Sequence, residues 1–101
     1  MATESGCDWL VYIILADDGS FYTGITKDIY RRWRQHKEGK GGAKYFRGRK
    51  PMDVIYLEDA HSRSSASQRE AAIKQLNRHD KETLILASTN KVSSLVDFDP
   101  A

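Results

Sequence analysis

Five side chains of this 101-residue sequence can carry charge or protons and recur at intervals that regular structure can bring together: Tyr12, Tyr22, Arg32, His36 and Glu70. Arg32 and His36 stand four apart, so on a helix they share one face, a turn from each other. Tyr12 and Tyr22 fall in separate extended runs, and pairing of those runs as a hairpin brings the two phenols together. Glu70 is the odd residue, because Ala66, Ile73 and Leu76 place it on the apolar stripe of a helix. A carboxylate there is costly unless it meets a cation, a strong hydrogen-bond donor or a metal. A plain ion pair with Arg32 or Arg63 would also satisfy it. Taken singly these residues have ordinary explanations in strands and on wet helix faces; their joint spacing sets them apart.

Net charge is only +2, yet residues 27–50 hold ten basic side chains against Asp28 and Glu38, a net of +8, so the remainder sums to −6. Such asymmetry steers a polyanion to one segment. A solvated helix face is the alternative for any charge run, but the glycines and aromatics inside this one favour phosphate contact. Lys40, Lys44, Arg47 and Arg49 are the candidate nucleic-acid contacts, with Tyr45 and Phe46 as stacking surfaces. His61 and His79 lack matching partners at useful spacing, and the lone Cys7 reads as a free thiol.

These groups need a scaffold, and the sequence describes one. Residues 9–15 form an apolar, β-branched run of the kind buried on both faces of a sheet, and residues 21–25 resume the extended pattern after the turn at Asp18-Gly19. Asp28 caps a helix from Ile29 that Gly39 ends, with Ile29 and Trp33 as core residues. Gly39 to Gly42 and the following residues read as an exposed cationic loop with a short helical turn before Pro51. Residues 52–57 predict a third strand with Met52, Val54 and Tyr56 on one face. A helix follows one of the N-cap candidates in 62–67, and another spans 81–87. The fold class is α/β: a small three-stranded, mostly antiparallel sheet flanked by helices in the order ββαβαα. One domain covers 9–88, with 1–8 and 89–101 as terminal extensions. No apolar run is long enough for a membrane span and no signal peptide is visible, so the expected location is the cytoplasm.

Leu10-Val11-Tyr12, then Tyr22-Thr23-Gly24, then Arg32 and His36 ten and fourteen residues after the second tyrosine, and then a helical Glu70 resemble the GIY-YIG nucleases, in particular their small stand-alone bacterial branch. Both triplets are degenerate, but the tyrosines and the second glycine are kept. The resemblance implies a metal-dependent endonuclease that hydrolyses DNA phosphodiesters, in DNA repair or processing, with RNA left open as the polymer. It implies that Glu70 holds Mg²⁺ or Mn²⁺, which activates a water and the phosphate. Arg32 would stabilise phosphoryl charge, Tyr22 would help deprotonate the water and Tyr12 would orient it or the phosphate. His36 would shuttle a proton or bind phosphate, and a downstream asparagine, Asn90 in preference to Asn77, would complete the family pattern. A single small domain further suggests weak sequence preference or a protein partner that supplies specificity. The alternative is a catalytically weak or inactive nucleic-acid-binding module of the same fold.

Overall fold

The computed structural model describes residues 8–39 and 41–95; Cys7 and Lys40 lie outside them. Three strands, β1 (Trp9–Ala16), β2 (Phe21–Thr26) and β3 (Pro51–His61), form one antiparallel sheet in the order β2-β1-β3. The helices are α1 (Ile29–Glu38), α2 (Arg63–Lys74), α3 (Arg78–Leu86) and the short α4 (Val92–Leu95), with a 3₁₀ turn at Lys44–Arg47.

β1 is the central strand, and both its faces are covered. Val11, Tyr12, Ile13 and Ile14 are consecutive and each at most 1% exposed, which explains a continuous apolar run instead of alternation. Each buried aliphatic side chain contributes roughly 1.5–3 kcal/mol. On one face Tyr12 and Ile14 pack with Ile29, Phe46, Val54 and Leu57, under α1 and the 3₁₀ turn. On the other, Val11 and Ile13 pack with Tyr56, Ala66 and Ile73, under α2 and α3.

The expected face pattern of β3 fails at one point. Ile13 pairs with Tyr56 but Ile14 pairs with Val54, so Ile55 is an extra residue in the ladder. This bulge turns Val54 and Tyr56 to opposite faces, while Met52 is left 58% exposed. β3 also runs past Leu57 to His61. Pairing with β1 sustains its polar end, although Ala60 adopts a left-handed φ of 64° there.

α2 begins at a Ser62 capping box, in which Ser62 and Ser65 each accept the other's backbone N–H. α3 begins three residues earlier than its apolar positions suggest, because the Asn77 side chain accepts the Asp80 N–H and starts the helix. Packing continues beyond residue 88. The Asn90 carboxamide makes four hydrogen bonds, accepting from Leu57 N (3.1 Å) and Val92 N (3.0 Å) and donating to Ile55 O and Ile85 O (both 2.9 Å). Asn90 is thereby a staple among β3, α3 and α4, whereas Asn77 is a helix cap.

Candidate active site

Tyr12 on β1 faces Gly24 on β2, and a Cβ at Gly24 would stand 2.5 Å from the Tyr12 hydroxyl oxygen. The missing side chain is therefore the space that the Tyr12 ring occupies. The Tyr12 hydroxyl meets His36 Nε2 at 2.9 Å beneath α1.

His36 is 1% exposed, and the Ala43 N–H donates to its Nδ1 at 3.3 Å. With Nδ1 accepting, the ring proton sits on Nε2 and is donated to Tyr12. Burial, assisted by the nearby Arg32 guanidinium, lowers the His36 pKa to about 4, so the ring is neutral at pH 7. Both nitrogens are committed, which leaves neither to contact a phosphate directly. The Tyr12 hydroxyl is held well above the usual phenol range by burial first and then by Tyr22; Arg32 opposes this and Glu70 adds to it. Tyr12 accordingly keeps its proton while His36 donates to its oxygen.

The glycine-rich loop does more than connect. A Cβ at Gly42 would lie 2.8 Å from the Gln35 carbonyl oxygen and 3.0 Å from His36 Cα, so only glycine lets the loop press against α1. That approach delivers the Ala43 N–H to His36 and the Gly41 carbonyl to Arg32, whose Nη1 donates to it at 2.7 Å and to Gln35 Oε1 at 2.9 Å. The loop thus aims both functional side chains of α1.

Tyr22 completes the aromatic cluster. Its ring lies 6.2 Å from Tyr12, 5.4 Å from His36 and 5.2 Å from both Tyr45 and Phe46, centroid to centroid. It is only half-buried, and its hydroxyl has no hydrogen-bond partner among the described residues. Glu70 rides on α2, which packs on β2, and its charge is felt weakly at Tyr12. Its side chain is 23% exposed, and its cation is Lys74 at 3.2 Å, one turn along α2, and not Arg32 or Arg63, the partners of the ion-pair alternative. The structure therefore brings Tyr12, Tyr22, Arg32 and His36 together beside β2 and places Glu70 on the helix that packs on the same strand.

The loop cations are placed differently from one another. Lys44 and Arg47 are exposed and carry no ion pair among the described residues. Arg49 is tied to Asp18 at 2.7 Å and lies over the Tyr45 ring at 4.2 Å, so it clamps the β1–β2 turn to the loop. Phe46 is 8% exposed and belongs to the core instead of offering a stacking face. His61 does have partners: its Nε2 meets Glu58 at 2.7 Å and its Nδ1 meets Ser65 at 2.9 Å. Glu58 also receives Tyr56 Oη and Arg69 Nε. Burial would raise the Glu58 pKa, but these donors outweigh it and lower it. The bulge at Ile55, which no sequence period reveals, sets the face from which Tyr56 enters this network.

The chain matches the model of the GIY-YIG catalytic domain over residues 8–83. It is 46% identical to a UPF0213 protein of Desulfotalea psychrophila over 86% of this chain and 79% of that one. It is 49% identical to a UPF0213 protein of Halobacterium salinarum over 73% and 95%. The chain belongs to the GIY-YIG family. A solved structure of a UPF0213 protein from Bacillus halodurans is 41% identical, with a TM-score of 0.52 over 80% of this chain and 85% of that one. The solved structure of the protein EF2693 from E. faecalis is 37% identical, with a TM-score of 0.53 over 91% of this chain and 92% of that one. GIY-YIG proteins are a nuclease family, which makes nucleic acid the class of substrate. In this GIY-YIG chain no described helix is long and apolar enough to cross a membrane.

Proposed function

We propose that the chain is a divalent-metal-dependent endonuclease that cleaves DNA phosphodiesters during repair or processing. The observation that supports this reading is the meeting of an open phenol, a protonated phenol and a guanidinium beside β2, with a half-buried carboxylate on α2 whose charge is felt at the protonated phenol. Among the described residues no three His, Cys, Asp or Glu side chains cluster as a metal cage. The donor set offered is thus one carboxylate, Glu70, which fits a hard ion such as Mg²⁺ or Mn²⁺ that fills its shell with waters and phosphate oxygens. When bound, the ion supplies Lewis acidity to the phosphate and lowers the pKa of a coordinated water.

The chain's own groups do the rest. Arg32 sets its guanidinium against the phosphoryl oxygens, where charge grows in the transition state. Tyr12 donates its hydroxyl proton as a hydrogen bond to a phosphate oxygen. Tyr22, with its open hydroxyl, takes the proton of the attacking water as it gives its own hydroxyl proton to bulk solvent. His36 is a positioning residue: it turns Tyr12 so that the phenolic proton faces the substrate. The exposed Lys44 and Arg47 hold phosphates farther along the strand.

The test is cleavage of labelled duplex, flap and single-stranded DNA in Mg²⁺ or Mn²⁺ by the wild type, Glu70→Ala and Tyr22→Phe. Cutting should vanish with EDTA and in Glu70→Ala, and fall about 10²–10⁴-fold in Tyr22→Phe. Binding by the wild type without any cutting would replace this reading with that of an inactive nucleic-acid-binding module.

A further inference from the structure

Beside Arg32, where β2 gives way to α1, lies an open groove of about 290 Å³ that the proposed chemistry leaves unused. Trp9 and Ile25 provide its apolar lining, and Lys27, Arg31, Arg32 and Gln35 its polar lining. Asp28 borders it as well, with a carboxylate oxygen engaged by the Arg31 N–H at 3.1 Å. The Arg31 guanidinium is exposed and makes no ion pair among the described residues. Arg63, arriving from α2, lies 5.7 Å from the centre of the Trp9 ring. Lys27 is paired with Asp8 at 3.5 Å, both side chains being about half exposed.

The groove therefore joins an aromatic ring to cations from two helices and a connecting turn, and it shares Arg32 with the candidate active site. Solvated arginines around an indole suit a ligand that alternates anionic groups with flat apolar rings, which is the repeat of a nucleic-acid strand. We infer that this groove seats the strand on one side of the scissile phosphate, with a neighbouring phosphate on Arg31 and a base against Trp9. The assignment rests on Arg32 as the group that holds the scissile phosphate. The strand leaves on the other side past the glycine-rich loop and Arg47, so β2 lies near the middle of the track.

Binding of fluorescein-labelled single-stranded DNA is measured by anisotropy against salt in the uncleaving Glu70→Gln background, with Arg31→Ala, Arg31→Lys and Trp9→Phe added singly. Arg31→Ala should bind about fivefold more weakly and lower the salt slope by roughly 0.7, the loss of one phosphate contact on a single strand. Arg31→Lys should restore most of that slope. Tryptophan fluorescence should be quenched by the oligonucleotide, and Trp9→Phe should abolish most of the quench. Wild-type affinity and slope in Arg31→Ala, with an unchanged quench in Trp9→Phe, would overturn the assignment while leaving the endonuclease reading intact. Dependence on Arg31 and Trp9 in a protein that cuts nothing would keep the groove and overturn the endonuclease. Failure of every form to bind DNA would overturn both.

Discussion

His36 shows how one buried ring can act through another. Its neutral form is held by a backbone donor on one nitrogen and a phenol on the other, and its pKa of about 4 lies below the ordinary 6.5. The unfolded chain therefore takes up this proton first as pH falls, so stability is lost from pH 6.5 down to about 4 and is unaffected above 6.5. The expected loss between pH 7 and 5.5 is on the order of 1 kcal/mol, read as a shift of the urea midpoint. His36→Gln should lack that increment. Gly24 makes the opposite demand, since it must carry nothing. Gly24→Ala sets a methyl 2.5 Å from a hydroxyl on a buried ring, which should cost about 1–3 kcal/mol. Thermal unfolding should show the loss, and cleavage should fall with it as Tyr12 is displaced.

At the level of elements, the site depends on two clamps that hold layers together. Glu58, with donors from Tyr56, His61 and Arg69, fastens the end of β3 to α2 and so fixes the helix that carries Glu70. Asn90 fastens β3, α3 and α4, with every hydrogen-bonding site of its carboxamide in use. Asn90→Ala leaves partly buried backbone groups of β3 without partners and should cost roughly 2–4 kcal/mol, seen as an earlier urea midpoint with an unchanged slope. Asn90 bonds to Leu57, the β3 partner of Tyr12, and to neither tyrosine side chain, so the folded fraction of that variant should retain wild-type turnover per molecule. Loss of turnover in fully folded Asn90→Ala would mark it as part of the site instead.

Over the whole molecule, the β2 edge is where both layers meet. α1 brings Arg32 and His36 over one face of the sheet, and α2 brings Glu70 from the other. The concentration of positive charge in residues 27–50 then becomes spatial, with Lys27 and Arg31 beside the groove and Lys44 and Arg47 on the loop beyond. Opposite ends of a bound strand can thus be held while the central phosphate faces the cluster, an arrangement that a charge of +2 for the whole chain conceals.

Most of the scaffold was legible in the residues. The apolar run of β1, the hairpin turn, the Asp28 and Gly39 boundaries of α1 and the ββαβαα order all follow from local chemistry: period, capping and turn preference. The five candidate residues were named from their intervals, which survive in a linear sequence, and their placement on β1, β2, α1 and α2 followed from the same local chemistry. The Ile55 bulge was not, since an extra residue shows only when a partner strand counts past it. The early start of α3 was missed because a cap precedes the apolar positions by several residues. The partner of Glu70, the tautomer of His36, the space that Gly24 leaves for Tyr12 and the stapling by Asn90 all join residues far apart in sequence. Local chemistry sets which groups this chain possesses and on which elements they ride; only packing of the two layers on β1 decides which atoms they touch, and so which phenol keeps its proton and which is left open.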